Sequence, residues 1–117
     1  MRNGLLGLLA MGIASSSQAA PPTTPVVVLS LKDHRFTPDS ITVPAGQKVR
    51  IDVTNHDGTA DDFDSIDLDV DGDLKPHERA SFVIGPLKPG HYAFKGELHA
   101  ATAHGEVVAV AQPSNGR

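Results

Sequence analysis

The side chains able to hold a cation or move a proton crowd into two stretches of this chain. One is an acidic run with eight aspartates between Asp57 and Asp73. The other is Glu97-Leu98-His99, with His104 five residues further on. Cysteine is absent, which excludes a thiolate-ligated metal, a cysteine nucleophile and a disulfide scaffold. The remaining histidines, His34, His56, His77 and His91, read as solvated loop or edge residues, with His56 and His91 nearest a possible loop pole. Ser40, Ser65 and Ser81 lack the strand-turn-helix context of a nucleophile elbow, and no glycine loop could cradle a phosphate.

Within the acidic run, Asp67-x-Asp69-x-Asp71-Gly72 followed by Glu78 has the spacing of an EF-hand calcium loop, with Leu74 at its apolar eighth position. The context argues against that loop. Ile66, Leu68 and Val70 alternate as in a strand, Val70 is bulky where the loop prefers a small or polar residue, and Pro76 stands where the exit helix would start. The expectation is a strand with an acidic outer face and then a turn at Asp71-Gly72. Such a face is usually just solvated, but one sign of charge also attracts cations or a basic partner.

The elements that must position these residues are short. Val26 to Leu31 reads as a first strand and Ile41-Thr42-Val43 as a second, closed by the turn Pro44-Ala45-Gly46. From Gln47 to Thr54 the chain alternates, with Val49, Ile51 and Val53 on one face and Lys48, Arg50, Asp52 and Thr54 on the other. Asn55 to Asp61 is a polar loop. Further strands are expected around Phe63 to Val70, at Ala80 to Ile84, around Tyr92 and Phe94, and at Val107 to Val110. Phe36, Phe63, Phe82 and Phe94 are the expected core anchors. No stretch of ten residues keeps a helical period, and there is no internal repeat. Short strands at this spacing imply an all-β sandwich or barrel.

The N-terminus has the layout of a secretory signal peptide over residues 1–19: Met1-Arg2-Asn3, an apolar run from Gly4 to Ala14, then small residues to Ala19. That run is too short to span a bilayer, so no direct membrane anchor is expected. Cleavage after Ala19 leaves 98 residues and takes the formal charge from −4 to −5. The expected order is a linker over 20–25, one domain over 26–111 and a disordered tail over 112–117. Duplex binding needs a basic face, so with this acidic balance nucleic acid is expected to be a poor partner.

Around these elements the chain resembles the cupredoxins. They end in a Y-x-F-x-C-x-x-H strand, a short loop with an axial ligand, then Gly and a closing Val strand. Tyr92, Phe94, His99, Gly105 and Val107 match it, as do Phe36-x-Pro38-x-x-Ile41-x-Val43-Pro44-Ala45-Gly46, Asn55, Gly85-Pro86-Leu87 and Pro89-Gly90-His91-Tyr92. The resemblance covers about Val28 to Val110. It implies an antiparallel Greek-key sandwich of the cupredoxin type. Gly96 stands where the copper-ligating Cys would be, and the first copper His is replaced around Asp61-Asp62-Phe63-Asp64-Ser65. No type 1 copper centre is expected, because that centre needs a His₂Cys set.

Asp62-Phe63-Asp64-Ser65 and Gly96-Glu97-Leu98-His99 are similar to a subgroup that includes the periplasmic cupredoxin-like component of bacterial ferrous iron uptake systems, the EfeO type. By that resemblance Asp62, Glu97, His99 and His104 would meet at one pole as metal ligands. Two carboxylates and two imidazoles suit Fe(II), Cu(II), Mn(II) or Zn(II) rather than Cu(I). The cofactor expected is a copper or iron ion. The localisation is the periplasm, and the partners are a periplasmic iron-binding protein and an inner-membrane iron permease. The protein would bind, oxidise or hand on iron, as an assistant rather than a stand-alone enzyme. The alternative is a metal-free docking module that meets a transport partner through its loop pole and acidic face.

Overall fold

The structure, a computed structural model, describes residues 23–113. The signal-peptide segment, the start of the linker and the last four residues of the tail lie outside the described residues. Nine strands run in order: β1 (Val26–Lys32), β2 (Arg35–Thr37), β3 (Ser40–Pro44), β4 (Val49–Asn55), β5 (Asp61–Ser65), β6 (Val70–Leu74), β7 (Arg79–Ile84), β8 (Gly90–Lys95) and β9 (His104–Val110). Among the described residues a single 3₁₀ turn, Glu97–His99, lies between β8 and β9.

The strands form two sheets, ordered β2-β1-β4-β7 and β3-β9-β8-β5-β6. They pack face to face as an all-β sandwich. Most pairings are antiparallel, but β1 runs parallel to β4 and β3 parallel to β9. The sheets are therefore mixed, where the resemblance had implied antiparallel ones. Each of these parallel neighbours is reached by a crossover rather than a hairpin, which alternation alone does not reveal.

Period-two patterning builds the core. Leu29, Leu31, Val49, Ile51 and Val53 point inward from the first sheet, and Phe63, Leu74, Phe94 and Val107 from the second. Each such side chain contributes roughly 1.5–3 kcal/mol by leaving water. Phe36 meets Phe63 and Phe94 edge-on, with ring centroids 6.0 and 5.2 Å away. Phe82 is only half buried, yet it stacks on Phe63 with centroids 5.2 Å apart. Its ring lies over Gly72, where any Cβ would collide with it.

Two local expectations need correction. The strand expected through Phe63 to Val70 breaks after Ser65. Ile66 to Asp69 is the turn, with Asp69 in the left-handed region at φ 56°, and Ile66 is exposed while Leu68 is buried. Asp71-Gly72 is consequently not a turn but the middle of β6, where Gly72 lies opposite Phe63. The cause is Ser65: its hydroxyl accepts the Leu68 amide at 3.0 Å and donates to the Ala93 carbonyl at 2.5 Å, which closes the turn against β8. The Asp67–Glu78 segment is thus a turn, a strand and a second turn, in which Glu78 receives the Lys75 amide.

Candidate metal centre

β5 carries the acidic residues to one end of the second sheet. Its alternation sends Asp61, Phe63 and Ser65 inward and leaves Asp62 and Asp64 half exposed on the outer face. Asp61 is buried where the core ends, beneath the 3₁₀ turn. Its Oδ1 accepts the amides of Asp62 and Leu98 at 2.9 and 3.1 Å, and its Oδ2 lies 2.8 Å from His99 Nδ1. With the carboxylate accepting, His99 carries its proton on Nδ1 and leaves the Nε2 lone pair free. A histidine whose Nδ1–H is held by a carboxylate is the usual arrangement of a metal-ligating imidazole.

Gly96 is explained by the same carboxylate. Its φ of −100° suits any residue, so backbone freedom is not the reason. A Cβ there would lie 2.7–2.8 Å from the Asp61 carboxylate atoms. The Asp61 head group occupies the space that a cysteine side chain would need. The residues present therefore do not fit a type 1 copper centre.

A second imidazole joins this group. Asp33 and His34 form the β1–β2 turn with φ of 51° and 57°. The Asp57 carboxylate holds that turn by accepting the two amides at 2.7 and 3.0 Å. Burial disfavours the charge on Asp57, but the His34 and Asp33 amides, with the nearby imidazoles, outweigh it and hold the carboxyl below its ordinary range. The turn lays the His34 ring on His99, with centroids 3.7 Å apart and planes 11° from parallel. His34 Nδ1 is 3.5 Å from Asp57 Oδ2. A row Asp57–His34–His99–Asp61 thus closes the pole.

Asp62 faces outward beside Glu97, and its Oδ1 accepts the Glu97 amide at 2.6 Å. Burial, the Glu97 carboxyl and the Asp61 charge push the Asp62 carboxyl up to about 6, against the opposing pull of that amide. Asp71 of β6 completes the group. One oxygen each from Asp62, Asp71 and Glu97 lie within 4.8 Å of one another. Among the described residues no other trio of possible ligands is this close.

The four residues expected to meet are therefore divided. Asp62 and Glu97 come together. His99 sits in the same 3₁₀ turn as Glu97, not at a strand end sharing a face with it, and it is tied to Asp61. His104 lies at the start of β9 opposite Lys95, on the outer face of the second sheet, and like His99 it is in no such trio. His91, also on that face, pairs with Glu106 at 3.2 Å. Asp61, Asp71 and His34 were missed as site residues. Asp61 was legible: if Phe63 points inward, a period of two sends Asp61 inward too. His34 carried no local signal, because its contact with His99 joins two turns far apart in the sequence.

Solved cupredoxins share this architecture. Auracyanin A of Chloroflexus aurantiacus superposes with a TM-score of 0.66 at 14% identity, over 75% of this chain and 100% of that one. A purple cupredoxin from Nitrosopumilus maritimus gives 0.55 at 18% identity, over 72% and 99%. At these identities the likeness is one of fold. An uncharacterized protein of Rickettsia prowazekii (strain Madrid E) is 38% identical over 82 residues, and the matched stretch is 70% of this chain and 66% of that protein's length. The cupredoxin-like domain family matches residues 5–109, and the chain belongs to that family.

Proposed function

We propose that the protein is an exported, thiolate-free metal-handling cupredoxin. It takes a divalent iron or copper ion at the strand-end pole and serves iron uptake by holding the ion or passing it on. Asp62, Glu97 and Asp71 would supply oxygen donors and neutralise the charge, and His99, which lies outside that trio but in the same turn as Glu97, would turn its Nε2 to the ion. The observation that carries this reading is the close trio of Asp62, Asp71 and Glu97 carboxylates, with Glu97 in the same 3₁₀ turn as an imidazole already oriented by Asp61. Three carboxylates at this distance repel one another, and a cation relieves that repulsion. Oxygen and imidazole donors favour Fe(II) and Cu(II) over Cu(I). The resemblance to the iron-uptake subgroup supports iron as cargo, with a periplasmic iron-binding protein and an inner-membrane permease as partners.

A calorimetric titration of the full chain with Cu(II) and with anaerobic Fe(II) tests this. One-site binding that is lost in Glu97→Gln and weakened in His99→Ala supports it, and His104→Ala should leave it unchanged. Binding unaffected by the first two changes sinks it.

A second reading has one observation in its favour. Both Asp61 oxygens already have protein donors, and the buried part of the pole is satisfied without a metal. A metal-free docking module would look the same there. No heat of binding with either ion would select it.

A further inference from the structure

The outer face of the first sheet, on the opposite side of the sandwich from the carboxylate trio, is built differently from an ordinary solvated sheet. Register sets it out in rows. Val26, Arg50 and Val83 lie across one row, and Val28, Asp52 and Ser81 across the next. Thr54 and Arg79 follow, then Lys32 beside Arg35 at the end of the sheet. The solvated face of a sheet normally alternates to polar residues. Here three valines break that rule, being 46% (Val26), 61% (Val28) and 57% (Val83) exposed.

Between the valines sits a pinned pair of arginines. Arg50 holds Asp52 with two bonds of 3.0 and 3.2 Å, and Arg79 holds it with one of 2.8 Å. Ser81 donates a further bond at 2.6 Å. Asp52 is 2% exposed, although it points away from the core, because the arginines cover it. The guanidiniums themselves remain 47% and 64% exposed, and each keeps N–H groups that Asp52 does not use. Among the described residues Asp52 is the only acidic side chain in these rows, against Lys32, Arg35, Arg50 and Arg79. The face is cationic on a protein whose formal charge is −4.

We propose that this face is a docking surface for an acidic segment of a partner protein, with Arg50 and Arg79 as anchors for its carboxylates and Val26, Val28 and Val83 as the apolar frame around them. Charge complementarity selects the partner. Apolar exposure without charge would suit any hydrophobic surface, but the fixed guanidiniums favour carboxylates presented at sheet spacing. Fixing both arginines on one buried carboxylate removes the ordering cost that long side chains otherwise bring to an interface. The partner's apolar side chains would cover the valines and exclude water from the ion pairs, which strengthens them.

The test uses the full chain, labelled with ¹⁵N, and a synthetic peptide of alternating glutamate and leucine as the probe. The expected result is saturable amide shifts at Val28, Arg50, Arg79 and Val83, with none at Asp62 or Glu97. The double change Val28→Glu with Val83→Glu puts two charges on exposed positions, and affinity should fall at least about tenfold. Val28→Lys with Val83→Lys, at the same positions, should bind at least as well as the unaltered chain. Shifts absent from this face overturn the proposal, as does equal affinity in the glutamate and lysine variants. Binding to phosphatidylglycerol vesicles through these residues, with no response to the peptide, also overturns it and makes the face a membrane contact.

Discussion

Asp61 of β5 and Gly96, which leads into the 3₁₀ turn, are one feature, because the carboxylate of the first fills the space left by the missing side chain of the second. Gly96→Ala should cost about 1–3 kcal/mol in urea unfolding, since a methyl group must push aside a buried, fully bonded carboxylate. Adding Asp61→Ala should give less than the sum of the two single losses, with a coupling of about 0.5–3 kcal/mol. Gly96→Cys should not generate an intense blue absorption with Cu(II), because the thiol finds its site occupied. Asp62 makes the opposite kind of statement. Its carboxyl is raised to about 6, so the folded protein holds this proton more tightly than the unfolded chain does. That difference lowers stability as pH rises from about 4 to about 6, and the loss stays in place above that range. Asp62→Asn keeps an acceptor for the Glu97 amide and should raise the melting temperature at pH 7 by a few degrees, with little effect at pH 4. At this scale the sequence disclosed the donor types and the absent thiolate. It pointed to Asp62 as the partner of His99 because the motif carried that position, whereas the strand's alternation gives the inward place to Asp61.

Two elements carry charge that their neighbours do not neutralise. In the β5–β6 ribbon Asp62 lies opposite Asp73 and Asp64 opposite Asp71, like charge against like. Such pairs weaken a ladder, and Asp73→Lys should stabilise the protein by about 0.2–1 kcal/mol, with the gain shrinking in high salt. Denaturant melts at two ionic strengths check this. The β4–β7 pair shows the reverse. The Ser81 hydroxyl, then Arg79 and Arg50, hold the Asp52 carboxyl well below the usual carboxylate range. A depressed value contributes stability above the unfolded-state value of about 3.9 that is lost as pH falls through the folded one. Asp52→Asn should therefore flatten the acid limb of a stability curve measured down to pH 2. Strands β1, β3, β4, β7, β8 and β9 were legible because each is a short apolar run or alternation bounded by Pro, Gly or polar residues. The β5–β6 hairpin was not, because Ile66, Leu68 and Val70 continue the alternation straight through the turn that Ser65 closes. The 3₁₀ turn was hidden for a related reason, since Glu97-Leu98-His99 reads equally well as the end of a strand.

Across the whole molecule the two sheets present faces of opposite character. The second sheet carries Asp62, Asp64, Asp71 and Asp73 outward, and the first carries Arg50, Arg79, Lys32 and Arg35. In the proposed metal-handling role the acidic side would draw cations while a partner holds the other. The fold class was readable from strand spacing and from the family motifs at both ends of the domain, but the row Asp57–His34–His99–Asp61 was not, because it joins four segments that only the sandwich brings together. The central claim is that the pole is a carboxylate and imidazole metal site without a thiolate. Electron paramagnetic resonance of the full chain loaded with one equivalent of Cu(II) tests it most directly. The expected spectrum is that of copper held by oxygen ligands and one imidazole nitrogen, with the nitrogen splitting lost in His99→Ala and the bound signal lost in Glu97→Gln. A spectrum unchanged by both substitutions, or one showing only free aqueous copper, would contradict the account.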